Sequence, residues 1–373
     1  MERIKTEMTS KERLTAYQKG EEVDRIPVTL TASETGPLMY GIPISKCYFS
    51  VENMVEVETR LAEDFGIDNM GMGLGLRTLP EALGCKLKYS EKNVSYIEKP
   101  AIESYAELEG RALPDITKDG RLPILVEAFE RLIERFHEEK VISTGMAGPF
   151  TTAVSLVGTE RFLRDSVRHP EEIGKLLRYS TDCVISCARD LHKRLGISIS
   201  LSEPMASANI ISKKQFRTLV LPYLSETVEE MNRFQGGTGI HICGKTKDRW
   251  DAIVESGISS FSIDNCENMK ELKEAYGNEI GISGNVEPVD VLKNGTPEMI
   301  RESVIRCLAE AADNPRGFTL CPGCTTPVMT PKENLIALLN SAWIYGRHAR
   351  KGRMPEGMKM IEYGGNKADE QTE

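Results

Sequence analysis

Segments typical of β-strands and segments typical of α-helices alternate along almost the whole chain of 373 residues. The strand-like segments are short apolar or β-branched runs, at residues 25–30, 141–144, 197–201, 238–242, 259–263, 279–282 and 318–320. Apolar residues recur at helical spacing between them, at residues 51–65, 122–139, 171–195, 213–234, 248–256, 297–312 and 331–346. Repeated strand-then-helix order with short connections predicts a parallel sheet covered by helices.

The number of strands favours a closed barrel over an open sheet. Seven strands are clear, and residues 66–70 or an early hairpin would supply an eighth, so we expect a single-domain (β/α)8 TIM barrel with extra N-terminal elements. No Ser/Gly-rich linker or low-complexity tract divides the chain. We therefore place an N-terminal extension with a helix at 1–19, the barrel at 20–350, and a flexible C-terminal tail at 351–373.

Two helix starts carry a capping signature. Thr296 precedes Pro297, and Thr330 precedes Pro331. A hydroxyl before a proline predicts an N-cap followed by the first helical position, where the missing N–H of proline has no cost.

Composition excludes several classes of protein. The chain carries 47 Lys+Arg against 56 Asp+Glu, a net charge of -9, which disfavours a nucleic-acid-binding protein because phosphate neutralisation requires clustered cations. There is no apolar run of about 18 residues, so no membrane span is expected. The polar N-terminus lacks an apolar signal core, which predicts a cytoplasmic protein. Its nine cysteines are accordingly expected to be reduced thiols.

Polar and metal-capable residues follow the predicted strands. In a barrel these positions meet at the C-terminal rim, where active sites are built. The segments are Ser202-Glu203-Pro204, His241-Ile242-Cys243-Gly244, Asp264-Asn265, Gly284-Asn285-Val286-Glu287-Pro288 and Cys321-Pro322-Gly323-Cys324.

His241 and Cys243 are the strongest metal candidates among them. They are two residues apart on a strand, so their side chains share a face, and Cys324 arrives from a later strand. One imidazole and two thiolates suit Zn²⁺, and three protein ligands leave the open position of a catalytic zinc. Cys321 is an alternative ligand, because a Cys-x-x-Cys pair with His241 and Cys243 would form a closed structural site.

Acidic and amide side chains at the same rim are candidates for orienting a ligand or holding substrate. Glu203, Asp264 and Glu287 each follow a strand, and a carboxylate there could orient His241 through its second ring nitrogen. The alternative for each is a helix cap or a surface charge, and for Asn285 a turn residue. The apolar floor of the pocket is predicted to be formed by Gly148, Pro149 and Phe150.

The sequence resembles the uroporphyrinogen decarboxylase superfamily over nearly its full length. The matching segments agree in order and spacing, and they are Asp24-Arg25-Ile26-Pro27, Gly148-Pro149-Phe150-Thr151, Ser202-Glu203-Pro204-Met205-Ala206-Ser207, Gly284-Asn285-Val286-Glu287-Pro288 and Pro331-Lys332-Glu333-Asn334. Within that superfamily, His241-Ile242-Cys243 with Cys324 resembles the zinc motif of methylcobalamin:coenzyme M methyltransferases, whereas Cys321 does not match.

This resemblance implies a (β/α)8 barrel, a three-ligand catalytic zinc, and methyl transfer between cobalamin and a small thiol or a methylated small molecule. A near match to the corrinoid-binding Asp-x-His-x-x-Gly signature ends at Gly196, one residue late, and His192 fits better as a residue at a helix C-terminus. We therefore expect a separate corrinoid protein to present the cobalamin.

Two alternatives remain open at this stage. The decarboxylases of the superfamily hold their polycarboxylate substrate with arginines of an N-terminal loop, but no arginine lies between Arg25 and Arg60 here, which disfavours tetrapyrrole decarboxylation. The other alternative is a non-catalytic barrel with a structural zinc. The sequence leaves the methyl donor and acceptor, the direction of transfer and the oligomeric state open.

Overall fold

A parallel sheet of seven strands forms most of a barrel. In the computed structural model, residues 2–5, 7–32 and 34–361 are described. The strands are β1 (Val23–Arg25), β2 (Asn69–Met70), β3 (Lys86–Lys88), β4 (Tyr96–Lys99), β5 (Val141–Ala147), β6 (Ser198–Ser202), β7 (Gly239–Ile242), β8 (Ser260–Ile263), β9 (Gly281–Val286), β10 (Phe318–Pro322) and β11 (Arg347–Ala349). The parallel sheet runs in the order β2-β5-β6-β7-β8-β9-β10, while β3 pairs with β4 and β1 with β11 in separate antiparallel ribbons.

Helices connect the strands and cover the sheet. They are α1 (Ser10–Lys19), α2 (Ile44–Cys47), α3 (Val51–Phe65), α4 (Thr78–Ala82), α5 (Leu122–Phe136), α6 (Pro149–Val157), α7 (Thr159–Arg168), α8 (Pro170–Leu195), α9 (Lys213–Gln215), α10 (Leu221–Gln235), α11 (Trp250–Glu255), α12 (Met269–Tyr276), α13 (Pro297–Ala311) and α14 (Lys332–Tyr345). A wide helical turn at Phe216–Val220 joins α9 to α10.

The ring is closed by an extended segment around Val28. The N–H of Thr29 donates to the carbonyl of Leu320 on β10 (3.0 Å), and the N–H of Leu320 donates to that of Pro27 (2.9 Å). On the other side, the N–H of Asp68 donates to the carbonyl of Val28 (3.0 Å). The (β/α)8 prediction is therefore confirmed.

The predicted strand at 25–30 is wrong in its extent. Residues 23–25 form β1, which pairs outside the barrel with β11, and only Val28 makes a barrel bridge. Pro27 has no N–H to donate, and the N–H of Val28 donates to the carboxylate of Asp68 (2.7 Å) instead of to a strand.

Alternate residues of the barrel strands face the helices. On β6, Ile199 and Leu201 are at most 1 % exposed and pack in the apolar layer between sheet and helices. Their neighbours Ser198 and Ser200 belong to the opposite face, the barrel interior, and both are exposed. The core therefore lies outside the sheet.

The N-terminal face carries a buried ion-pair network. Arg13 on α1 is 1 % exposed and contacts Asp24 (2.6 Å) and Asp68 (2.5 Å). Asp68 also pairs with Arg25 (2.5 Å). The predicted N-terminal helix is therefore fixed to the barrel by charges that have little contact with water.

The C-terminal segment predicted to be flexible is described only in part. After β11, residues 351–361 continue with Pro355 and Gly357 buried, while 362–373 lie outside the described residues. The assignment of domain and tail boundaries remains a prediction. Over the described ranges 2–5, 7–32 and 34–361, no helix has the length and apolar character needed to cross a membrane.

Candidate metal centre

Three potential ligands lie together at the C-terminal rim. His241 lies on β7 and Cys243 directly after it, while Cys324 follows β10. Gly244, with φ +81, turns the chain immediately after Cys243, a backbone conformation that glycine adopts without the strain of a side chain. The barrel thus brings together residues 81 positions apart, although β8 and β9 lie between β7 and β10 in the sheet.

The donor atoms of these side chains face one another. The Nε2 atom of His241 lies 2.9 Å from Sγ of Cys243, and that sulfur lies 3.1 Å from Sγ of Cys324. All three donor atoms lie within 4.8 Å of one another, and the residues are half-buried. One nitrogen and two sulfurs therefore surround a position accessible from solvent.

The neighbouring strand fixes the orientation of the imidazole. The Nδ1 atom of His241 lies 3.0 Å from the backbone carbonyl of Ser262 and 3.1 Å from its Oγ. Because a carbonyl can only accept, the proton resides on Nδ1. The lone pair of Nε2 is then directed at the two cysteines, as metal binding requires.

The pKa values of the two cysteines are shifted in opposite directions. The hydrogen bond from the Cys243 thiol holds the pKa of Cys324 well below its usual range, although burial acts in the other direction. The contact with Cys324 raises the pKa of Cys243, and burial adds to it. Cys324 is therefore the more acidic member of the pair.

Cys321 is not part of this group. It lies on β10, is 4 % exposed, and burial raises its pKa to about 12. The set of converging donors among the described residues consists of His241, Cys243 and Cys324. The geometry thus corresponds to the open three-ligand arrangement.

Glu203 contacts a helix rather than the imidazole. Its carboxylate is fully buried and accepts hydrogen bonds from the N–H groups of Phe150 (2.9 Å) and Thr151 (2.7 Å) at the start of α6. Burial raises the pKa of Glu203 to about 7, against the effect of the hydrogen bonds from Thr151 and Phe150. A Cβ on Gly148 would lie 2.3 Å from Oε1 of Glu203, so only glycine fits there.

The other predicted polar residues support the loops around the site. Asp264 accepts from the N–H of Gly244 (2.8 Å) and thereby fixes the turn after Cys243. Asn285 is fully buried and donates to the carbonyls of Asp264 (3.1 Å) and Glu267 (3.0 Å), so it faces away from the three donors. Glu287 is half-buried, and burial followed by the charge of Asp290 raises its pKa.

The Gly148-Pro149-Phe150 segment begins α6 and is buried. Phe150 is fully buried and packs edge-on against Phe162 of α7, with ring centroids 5.1 Å apart. Phe150 therefore contributes to helix packing and holds Glu203 through its N–H.

Sequence reasoning did not find Ser262, the partner of Nδ1. The signal was the alternation of β8, since Ser262 is directly opposite His241 in the β7–β8 register. That register is decided by the assembled sheet and is not visible in either strand alone.

His192 is engaged within the fold. Its Nδ1 lies 2.9 Å from the backbone carbonyl of Ile197, and its ring lies against Phe234, with centroids 5.2 Å apart. This matches the expectation of a residue at a helix C-terminus.

A family model described as uroporphyrinogen decarboxylase (URO-D) matches residues 9–343. The chain belongs to the uroporphyrinogen decarboxylase family. Its similar curated proteins include a methylcobamide:CoM methyltransferase, MtbA, from Methanosarcina acetivorans, 27% identical over 91% of this chain and 99% of that protein. A methylated-thiol–coenzyme M methyltransferase from Methanosarcina mazei is also 27% identical, over 90% of this chain and 89% of that protein.

A solved structure is similar to this chain over nearly its full length. A methyltransferase from Methanosarcina mazei superposes with a TM-score of 0.80 and 28% identity, covering 90% of this chain and 98% of that one. The barrel architecture is thus shared over almost the entire length of both chains.

Proposed function

We propose that the chain is a zinc-dependent corrinoid methyltransferase, which moves a methyl group between cobalamin on a separate corrinoid protein and a small thiol or methylated small molecule. The observation that carries this proposal is the convergence of His241, Cys243 and Cys324 at the barrel mouth. The methyltransferase names of the similar proteins support the same reaction class.

The donor set fits Zn²⁺. A neutral imidazole and two thiolates form a borderline-soft ligand set that zinc prefers, and three protein ligands leave one position for substrate. Bound zinc would promote loss of the proton of a substrate thiol, or act as a Lewis acid on the heteroatom of a methylated donor.

The surrounding residues set the protonation and the positions of the candidate ligands. Ser262 holds the Nδ1 proton of His241, so that Nε2 is available. The lowered pKa of Cys324 favours its ionised form, and two thiolates with a neutral imidazole balance a divalent charge. Asp264 fixes the turn that follows Cys243. The charge balance keeps a substrate thiolate at this site electron-rich.

A separate corrinoid protein is supported by the surface around the mouth. Ile210, Val289 and Met329 are exposed apolar side chains in the loops after β6, β9 and β10. Exposed apolar groups around a site favour docking of a partner. His192 lies in the last turn of α8 with its ring against Phe234, and it is not proposed as an axial ligand of cobalt.

Tetrapyrrole decarboxylation receives less support from the same region. The loop at residues 32–40 contains no arginine and carries Glu34, whose carboxylate accepts a hydrogen bond from the hydroxyl of Tyr48 (3.0 Å). An acidic loop disfavours a substrate with many carboxylates, because like charges repel at short distance. A purely structural zinc would require a fourth protein ligand, and Cys321 lies outside the donor group.

The test combines zinc content with methyl transfer. We expect one zinc per chain by elemental analysis and conversion of methylcobalamin to cob(I)alamin in the presence of 2-mercaptoethanol. Cys324→Ala should lose most of the zinc and the activity, whereas the matched variant Cys321→Ala should retain both. Equal loss in the two variants would contradict the open three-ligand site.

A further inference from the structure

The interior of the barrel is lined by unusually small polar residues. Barrel interiors are ordinarily filled by layers of bulky branched side chains. Here the inward positions of the central strands are almost all serine or glycine, and they are Ser143 and Gly145 on β5, Ser198, Ser200 and Ser202 on β6, Gly239 on β7, Ser260 and Ser262 on β8, and Gly281 and Ser283 on β9.

Several of these side chains are accessible to solvent inside the barrel. On β6, Ser198 and Ser200 are exposed and Ser202 is half-buried, although the strand lies at the centre of the sheet. A cavity of about 950 Å³ opens at the N-terminal face, and its wall includes Ser198, Ser260 and Ser283. The lining is partly apolar, but a space of this size holds water where serine hydroxyl and backbone groups supply the hydrogen-bond partners that water requires.

Serine side chains of adjoining strands lead from the wall of this cavity toward the candidate metal centre. Ser283 of the cavity wall is opposite Ser262 in the β8–β9 register. The Oγ of Ser262 in turn lies 3.1 Å from Nδ1 of His241. Ser202 is opposite His241 in the β6–β7 register. Half-buried hydroxyl groups therefore continue from the cavity to the level of the imidazole.

We infer that the barrel interior is a water-filled channel joining the N-terminal face to the metal centre, and that it conducts the proton lost by the substrate thiol. A corrinoid covering the mouth displaces water from the C-terminal side. The S–H bond breaks, sulfur keeps its electron pair and forms the new bond to the methyl carbon, and the methyl–cobalt bond leaves its pair on cobalt. The proton passes to water in the channel.

The transport role rests on the proposed function, but the channel itself does not. The first experiment therefore tests the channel alone. Ser200→Cys is labelled with iodoacetamide, and labelling at each cysteine is followed by peptide mass spectrometry. Native Cys187, which is fully buried, serves as the internal control in the same molecule.

Because thiol reactivity follows exposure, we expect the Ser200→Cys position to react at least ~10-fold faster than Cys187. The circular dichroism spectrum must match that of the unmodified chain. Equal rates at the two positions in the folded protein would overturn the channel.

The second experiment tests proton transport during a single turnover of the zinc-loaded protein. Saturating methylcobalamin and 2-mercaptoethanol are mixed with it, cob(I)alamin is followed by absorbance, and the proton by a pH indicator. We expect the two signals to coincide in the native chain and in Ser200→Ala. In Ser200→Leu, which fills the interior, the proton should appear later than cob(I)alamin.

The outcomes separate the two proposals. Coincident signals in Ser200→Leu would show that the proton leaves through the mouth, which overturns the transport role. Absence of cob(I)alamin with the native chain would instead contradict the methyltransferase function, while the labelling result would still decide whether the channel exists.

Discussion

At the residue scale, His241 is oriented by a neighbouring strand and not by an acidic side chain. The carbonyl of Ser262 accepts from Nδ1 at 3.0 Å, and backbone carbonyls perform this role in many metal sites. A carbonyl keeps its dipole at every pH, whereas a carboxylate would add a negative charge beside two thiolates. The contact that orients His241 therefore adds no negative charge to the mouth.

Glu203 is expected to make stability depend on pH. Its folded-state pKa of about 7 lies above its ordinary value of 4.5, so the folded state favours the protonated acid. This contribution is fully present below pH 4.5 and is lost as the pH rises to 7. From pH 5 to pH 7, the unfolding free energy of the native chain should therefore fall by about 2 kcal/mol more than that of Glu203→Gln, which has no carboxylate to titrate at this position.

Urea denaturation of both proteins at several pH values measures this difference. Glu203→Gln is expected to be less stable than the native chain at pH 5, since its amide cannot accept from both N–H groups of α6. A constant difference between the two proteins from pH 5 to 7 would contradict the raised pKa.

Residues whose positions follow from a single strand could be predicted from the sequence, whereas residues whose positions depend on how strands pair could not. The side chains of His241 and Cys243 share a face because alternation is a property of one strand. The position of Ser262 depends on the register between two strands, and the direction of Asn285 depends on where α13 and the loop after β8 pack. Strand register and helix packing are set by the assembled fold, so the sequence of one strand is not enough to predict them.

At the element scale, helix starts show the same distinction. Thr296 caps α13 as predicted, with its hydroxyl accepting from the N–H of Met299 (3.4 Å). The predicted cap at Thr330 is wrong, because its hydroxyl donates to the carbonyl of Pro327 (2.7 Å) and Pro331 itself precedes α14 in an extended conformation. The loop carrying Cys324 ends there, and its own packing decides the conformation.

Most strands and long helices could be predicted because their apolar periodicity is strong. The helix α3 begins and ends at the predicted residues, Val51 and Phe65. By contrast, α6 and α7 were not predicted. The residues of α6 are buried on nearly all sides, so they lack the amphipathic pattern that identifies a surface helix.

The ion pairs of α1 should matter more than those on the surface. Arg13→Met removes the partner of Asp24 and one partner of Asp68 in a site that is 1 % exposed at Arg13. Because Asp24 then loses its hydrogen bonds from Arg13 and Asp68 keeps Arg25 alone as an arginine partner, we expect the unfolding free energy to fall by about 3 kcal/mol.

Arg60→Met is the matched control, since the Arg60–Glu56 pair is exposed. It should change the unfolding free energy by no more than about 0.5 kcal/mol. Chemical denaturation of both variants measures the difference, and similar losses would contradict a stabilising role of burial in the network.

At the scale of the whole molecule, the fold should survive without metal. The apolar core extends from Tyr17 to Ala349 and does not include the three donor residues. Chelation is therefore expected to abolish methyl transfer while leaving far-ultraviolet circular dichroism nearly unchanged. Global unfolding on chelation would indicate that the metal is structural.

Docking of a corrinoid protein should depend on the apolar residues of the mouth. Val289→Glu and Met329→Glu are each expected to slow methyl transfer with a corrinoid protein about tenfold, since a charge would be buried in the interface. Transfer from free methylcobalamin should change much less.

Met354→Glu is the control for this prediction. Met354 is an exposed apolar residue of the C-terminal segment, three positions after Lys351, which belongs to the cavity at the N-terminal face. It should leave both rates unchanged. Equal slowing with both methyl donors would contradict a docking role for the mouth residues.

The closure of the barrel at Val28 has a consequence for biosynthesis. The segment at 27–29 reaches its partner Leu320 only after almost the entire chain has been translated. Until then the growing polypeptide carries an incomplete sheet with unpaired edges, a state exposed to aggregation. Contacts between such distant positions also form slowly, so premature termination before β10 should yield insoluble fragments, and chaperones that shield strand edges should favour production of the complete chain.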